Sequence, residues 1–290
     1  MTSDAMFQFA TPLTFGITGM SHDKQVYSAL GSGFFVAPFT AITAAHVVRG
    51  LWDLLEMPWR QGQYPKHTVE GAFELAAVQQ VDPNNSYLTA HWKITGATPL
   101  DYTDMAFLNL VPNDVVSNSF LWPKPFPELE LIPPDLGSKI WSFGYAEAAY
   151  KHTAGEAVVE IEAQPKLMEG QVTGHYPHGR GTWMFPQFAV SCPFEPGMSG
   201  GPLVHEERVC GIVSYGPELE GGARGLSFAA ALWPLLASEV NSGVDPRVAP
   251  NPVLEMLATG AIAGPRWKHI QSLITAGKTE SGKTIIELHM

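Results

Sequence analysis

Apolar positions in this chain fall into short runs bounded by glycine, proline or polar residues. Gly31-Ser32-Gly33-Phe34-Phe35-Val36 predicts a buried strand, Ala37 to Thr40 its turn, and Ala41-Ile42-Thr43-Ala44 the returning strand. Tyr102 to Leu110 predicts another strand, and Val209 to Tyr215 alternates as a further one. Gly71 to Val81 fits a strand or a helix. Helical signals are fewer. Leu51 to Glu56 predicts a short helix limited by Pro58. Leu232 to Val240 also reads as helical. Asn251-Pro252 would start a helix, and residues 266–275 predict a second one ended by Gly277. Residues 1–30 read as an N-terminal arm with one or two short strands. No internal repeat or low-complexity tract stands out.

Composition narrows the class. The 290 residues include 28 Gly and 24 Pro, which suit many short strands joined by tight turns better than a helical bundle. Hydrophobic residues make up 45% and charged residues 16%, enough to bury a normal core. The net charge of −11 would repel phosphate backbones, so nucleic acid is not an expected partner. No basic segment leads into a long apolar run at the N-terminus, and no apolar run is long enough to span a bilayer, so the expected setting is cytoplasmic, away from membranes. The two cysteines, Cys192 and Cys210, read by default as free buried thiols in a reducing compartment, although their spacing leaves a bridge open.

Three segments carry candidate chemistry. Gly197-Met198-Ser199-Gly200-Gly201-Pro202-Leu203 places a serine among glycines. Thr43-Ala44-Ala45-His46 follows one strand-like run, and Thr103-Asp104-Met105-Ala106-Phe107-Leu108 precedes another. A serine hydroxyl is a poor nucleophile until a base takes its proton, and that base needs a carboxylate to set its tautomer. His46, Asp104 and Ser199 are the candidates, and glycine beside the serine frees backbone amides to face an oxyanion.

In this order the three segments resemble the chymotrypsin-like (trypsin-like) serine peptidases. The nearest likeness is to the bacterial branch that includes the high-temperature-requirement proteases. The resemblance runs from about Gly31 to about Ala231, roughly two-thirds of the chain. It implies an all-β fold of two six-stranded antiparallel β-barrels, with a closing helix and a small C-terminal extension. The corresponding divisions are 1–121 (first barrel with N-terminal arm), 122–136 (a Pro-rich linker), 137–240 (second barrel and closing helix) and 241–290 (extension). Gly137 to Gly144 would open the second barrel, followed by strands at Gly170 to Gly174 and Gly225 to Ala229. The 58 positions between His46 and Asp104 imply a loop insertion near 50–68.

The resemblance also implies roles. The amides of Gly197 and Ser199 would form the oxyanion hole. Ser214, Tyr215 and Gly216 would pair with the substrate backbone, and Ser214 would bond Asp104. Pro193 would lie near the base of the primary pocket. No acid occupies that position, although Glu195, Glu218 or Glu220 could substitute by turning inward. A small or apolar residue before the cut is expected. Where trypsin-type zymogens carry an Asp before the nucleophile, this chain has Met198, so activation by a freed N-terminus is not expected. A peptide or protein substrate follows, with a regulatory protein partner and residues 241–290 as candidates for restraint. No metal or cofactor is called for.

Other readings compete. The TAAH segment could be a strand-to-helix junction with a structural His. Asp101 and Asp82 rival Asp104. Gly197 to Gly201 also matches the G-x-S-x-G elbow of α/β-hydrolases, with Asp245 and His269 following in order, but strand–helix alternation is missing. Gly277 to Thr284 matches the P-loop pattern, but the sequence after it looks like a strand. His175 and His178 read as a solvated loop rather than a metal site. The fold could also persist as a catalytically silent peptide-binding scaffold.

Overall fold

A computed structural model describes residues 2–21, 26–54, 73–82, 84–100, 102–112, 126–152, 159–216, 226–240, 251–264, 274–278 and 284–288. The chain begins with helix α1 (Ser3–Ala10), capped by the Thr2 hydroxyl accepting from the Ala5 amide at 3.3 Å. Six strands then close a barrel in the order β1-β2-β3-β6-β5-β4. They are β1 (Thr14–Ser21), β2 (Val26–Ala37), β3 (Thr40–Thr43), β4 (Phe73–Asp82), β5 (Asn85–Pro99) and β6 (Ala106–Pro112). Helix α2 (Ala45–Leu54) follows β3. The β2–β3 turn takes Phe39 to a φ of 59°. Trp92, Phe34, Phe35, Phe107 and Phe15 are fully buried inside this barrel.

The second barrel is built from β8 (Lys139–His152), β9 (Val159–Tyr176), β10 (Gln187–Val190), β11 (Pro202–His205), β12 (Arg208–Tyr215) and β13 (Ser227–Ala231). The β11–β12 pairing closes it. The two closed six-stranded antiparallel barrels are the expected all-β fold. One strand departs from the antiparallel pattern. The two-residue β7 (Glu128–Leu129), within the Pro-rich stretch expected only to link, pairs parallel to β12.

Several local expectations change. Strand β12 is buried on both faces from Val209 to Ser214 rather than alternating, because it runs through the barrel wall under other chain segments. The closing helix is only a 3-10 turn at Trp233–Ala237, followed by β14 (Glu239–Val240), which pairs with β15 (Asn251–Pro252). Helix α3 (Val253–Thr259) starts after Pro252 as read and stops at Gly260, whose φ of 77° suits a left-handed cap. The helix expected up to Gly277 is not seen over its described end. Ile274–Lys278 is β16, hydrogen-bonded to β17 (Thr284–Leu288). The P-loop-like letters therefore fall across a hairpin, without the strand–loop–helix context the motif needs. The insertion expected near 50–68 lies largely outside the described residues, as do Asp101, Glu218, Glu220, Asp245 and His269.

The barrels meet along a polar seam. Tyr145 of β8 is 3% exposed, and its hydroxyl donates to the Thr14 carbonyl at 3.4 Å and accepts from the Gln80 amide at 3.1 Å. Burial pushes its phenol up to about 12. Ser32 of β2 reaches back the other way, accepting from the Tyr145 amide at 2.8 Å. Helix α1 covers one end of the seam, with Phe7 packed edge-on against Phe143 at 5.6 Å. Among the described residues, no helix is long and apolar enough to cross a membrane.

Cys192 and Cys210 are free and buried among second-barrel side chains. Burial pushes the Cys192 thiol up to about 11, and it raises Cys210 as well. Native protein at pH 8 is expected to leave both thiols unreacted toward a colorimetric disulfide reagent, and to expose both after denaturation without reductant. Detection of only one thiol or none in the denatured protein would contradict this. Tyr145→Phe removes a buried hydroxyl from its partners across the seam, so urea unfolding is expected to show a loss of about 1–3 kcal/mol.

Candidate active site

His46 stands in the first turn of α2, three residues beyond the last residue of β3. The sequence reading placed it at a strand end. The difference comes from Asp104, whose backbone carbonyl accepts from the Ala45 amide at 3.2 Å and whose Oδ1 accepts from the His46 amide at 3.0 Å. The first amides of a helix lack internal acceptors, and Asp104 supplies them from a distant loop.

Asp104 itself precedes β6 rather than lying in it. The Leu100 amide donates to the Met105 carbonyl at 2.8 Å beside the turn at 102–104, so the ladder begins only at Ala106. Exposed Tyr102 takes a φ of 62° in that turn. Asp104 is 3% exposed. Its Oδ2 lies 2.8 Å from His46 Nδ1 and also accepts from the Ser214 hydroxyl. Three donors thus satisfy one buried carboxylate. An ionised Asp104 holds the proton on Nδ1, leaving Nε2 as the acceptor on a ring that is 38% exposed.

Ser199 is presented by a different device. The Met198 amide donates to the Glu195 carbonyl at 3.0 Å. Pro196 occupies the second position and Gly197, with φ at 92°, the third, which is the pattern of a type II β-turn. Buried and half-buried positions then alternate. Met198 and Gly200 are buried, while Gly197 and Ser199 are half-buried. Met198 is fully buried with Cys192, Phe194, Leu203 and Cys210. A Cβ on Gly200 would sit 2.2 Å from the Ser32 carbonyl oxygen, and one on Gly201 would sit 2.0 Å from that of Phe143. Only glycine fits there. Among the described residues, neither the Gly197 nor the Ser199 amide has a hydrogen-bond partner.

Ser214 joins the two halves. Its carbonyl accepts from Ser199 Oγ at 3.2 Å while its own hydroxyl donates to Asp104. The Gly200 amide donates to the Val213 carbonyl and the Val213 amide to Gly201, both at 2.8 Å, which locks the serine loop to β12.

The expected substrate-side residues lie together. Tyr215 and the exposed Gly216 continue from Ser214. A Cβ on Gly216 would approach Ser227 Oγ at 3.3 Å and the Phe194 carbonyl at 3.8 Å, and the Phe194 amide donates to that Ser227 hydroxyl at 2.9 Å. Pro193 sits beside this corner. Tyr215 is sandwiched between Trp183 and Phe228, with ring centroids 4.8 Å away on each side. Sequence reasoning missed Trp183, since no motif marks it, and it missed Ser32. It also offered Glu195 as a free acid for basic substrates, whereas Glu195 is ion-paired with Lys166 of β9. His175 Nε2 donates to the Pro134 carbonyl at 2.8 Å, which gives it a structural role. Among the described residues, no three metal-ligating side chains converge.

The family model of the trypsin-like peptidase domain matches residues 31–212. None of the curated proteins matches the sequence. Solved structures are similar to this chain at low identity. The MamO protease domain from Magnetospirillum magneticum (apo form) is 14% identical with a TM-score of 0.50, covering 78% of this chain and 94% of that one. Deg5 is 16% identical with a TM-score of 0.49, covering 80% and 91%. The Rv3671c protease from M. tuberculosis in its active form is 16% identical with a TM-score of 0.45, covering 77% and 78%. Likeness at such identity speaks to fold alone. The family match spans more than half of the chain and includes the His46, Asp104 and Ser199 segments, and the chain belongs to the trypsin-like peptidase domain family.

Proposed function

We propose that this chain is a serine endopeptidase that works through an acyl-enzyme. The observation that carries the reading is the shared engagement of Ser214, which accepts from Ser199 Oγ and donates to the carboxylate that orients His46. Ser199 is the nucleophile, His46 the general base and acid, and Asp104 the group that orients His46 and stabilises its cation.

In acylation, Ser199 Oγ bonds to the scissile carbonyl carbon and its proton passes to His46 Nε2. The carbonyl electrons move onto oxygen and are met by the Gly197 and Ser199 amides. Collapse of this intermediate breaks the C–N bond, and His46 returns the proton to the leaving amine. Water then repeats the sequence to free the acid. In the resting arrangement the Ser199 hydroxyl donates to the Ser214 carbonyl, and catalysis requires it to exchange that partner for His46. The substrate backbone is proposed to add to Ser214, Tyr215 and Gly216 as an extra strand. Its side chain before the cut enters the corner of Pro193, Phe194 and Ser227, which offers no acid among the described residues and suits a small or apolar group.

The test is a fluorophosphonate probe applied to purified protein. Wild type is expected to be labelled, and Ser199→Ala is expected to lose labelling and about 10⁶ in turnover. Asp104→Asn, which leaves His46 in the wrong tautomer, is expected to lower turnover about 10⁴-fold. A folded wild-type protein that never labels would replace this reading with a silent peptide-binding scaffold of the same fold.

A further inference from the structure

The Gly197 amide is the weak point of such a site. It belongs to the central peptide of the Glu195–Met198 turn, and types I and II of that turn differ in which way this peptide faces. Glycine at the third position tolerates either sign of φ, so the choice is not made by Gly197 alone. Met198 replaces any buried charge that could hold the turn from below.

Two contacts reach the turn from outside. At its first residue, the Glu195 carboxylate pairs with Lys166 Nζ; the two side chains are only 14% and 29% exposed. At its third, the Gly197 carbonyl accepts from the Ser32 hydroxyl at 2.8 Å. Both contacts meet over one spot of the second barrel. Lys166 is the β9 partner of Gly144, and a Cβ on Gly144 would lie 2.9 Å from Met198 Cα and 3.1 Å from Ser32 Oγ. The seam thus fixes one end of the turn, and the ion pair fixes the other.

We propose that Lys166 is a positioning residue for the oxyanion site, holding the turn through Glu195 in the form that keeps the Gly197 amide free to meet a developing charge. This rests on the serine endopeptidase reading for its consequence, but not for its geometry. A half-buried pair of this kind is screened less than a surface pair and resists a change of turn type. The ion pair takes the place of control by a freed N-terminus, so the site is set as soon as the chain folds.

The experiment compares wild type with Lys166→Met, Lys166→Arg and the charge swap Lys166→Glu with Glu195→Lys. Two readouts are taken. Amide hydrogen exchange over peptides containing residues 195–201 reports the turn, and the fluorophosphonate labelling rate reports the oxyanion site. Lys166→Met is expected to raise exchange in that segment while the Tm stays near wild type, and to slow labelling about 10- to 100-fold, short of the loss from deleting a donor outright. Lys166→Arg and the charge swap are expected to restore both. Unchanged exchange at 195–201 in Lys166→Met overturns the proposal, and so does failure of both restoring variants. If wild type itself does not label, the endopeptidase reading fails, and the exchange comparison still decides the role of Lys166.

Discussion

The structure depends on how the serine loop is wedged into the seam between the barrels. Ser32 is central to this contact, and every polar atom it has is paired. Its amide donates to the Ser199 carbonyl at 2.7 Å, and its carbonyl accepts from the Thr43 hydroxyl at 2.6 Å. Its hydroxyl donates to the Gly197 carbonyl and accepts from the Tyr145 amide. Tyr145 returns the link by reaching β1 and β4 of the first barrel. Buried polar groups must be paired, so the loop that carries Ser199 cannot shift without unmaking several bonds together.

Charge and apolar packing divide the remaining work. Asp104 is the buried charge of the site, and it is neutralised in effect by three donors drawn from two segments. The same residue begins α2, so formation of the helix and placement of the imidazole are one event. On the other side of the cleft, Met198 anchors its loop by burial among apolar side chains. An apolar anchor requires no partner to be created later in the life of the protein. The aromatic stack of Trp183, Tyr215 and Phe228 stiffens the end of β12 that continues from Ser214.

Legibility from sequence followed the range of the interactions involved. The strands at Gly31–Val36 and Ala41–Ala44 were readable because their apolar runs and turn residues are local. The glycines around Ser199 were readable as a serine loop because close backbone approach leaves a direct mark in residue type, and Gly200 and Gly201 show why no other residue fits. The bounds of the Asp104 strand and the setting of His46 were misread, since a carboxylate 58 positions away caps the helix there. Val209 to Ser214 reads as alternating but is covered on both faces, a property of neighbours rather than of its own pattern. The predicted helix ending at Gly277 gave way to a hairpin strand, whose pairing with Thr284–Leu288 outweighs local propensity.

By itself, the sequence determined the all-β class, the order of His46, Asp104 and Ser199, and the absence of an acid directly before Ser199. These rest on residue identity and on spacing along the chain, which no folding event alters. The family likeness already implied the Ser214–Asp104 bond; only the tertiary structure decided that Ser214 also accepts from Ser199, that Lys166 occupies Glu195, and that Ser32 holds Gly197. Those contacts join residues 15 to 165 positions apart. Each is a hydrogen bond or ion pair that exists only once both barrels have closed and met, so nothing in the local pattern of either partner announces it.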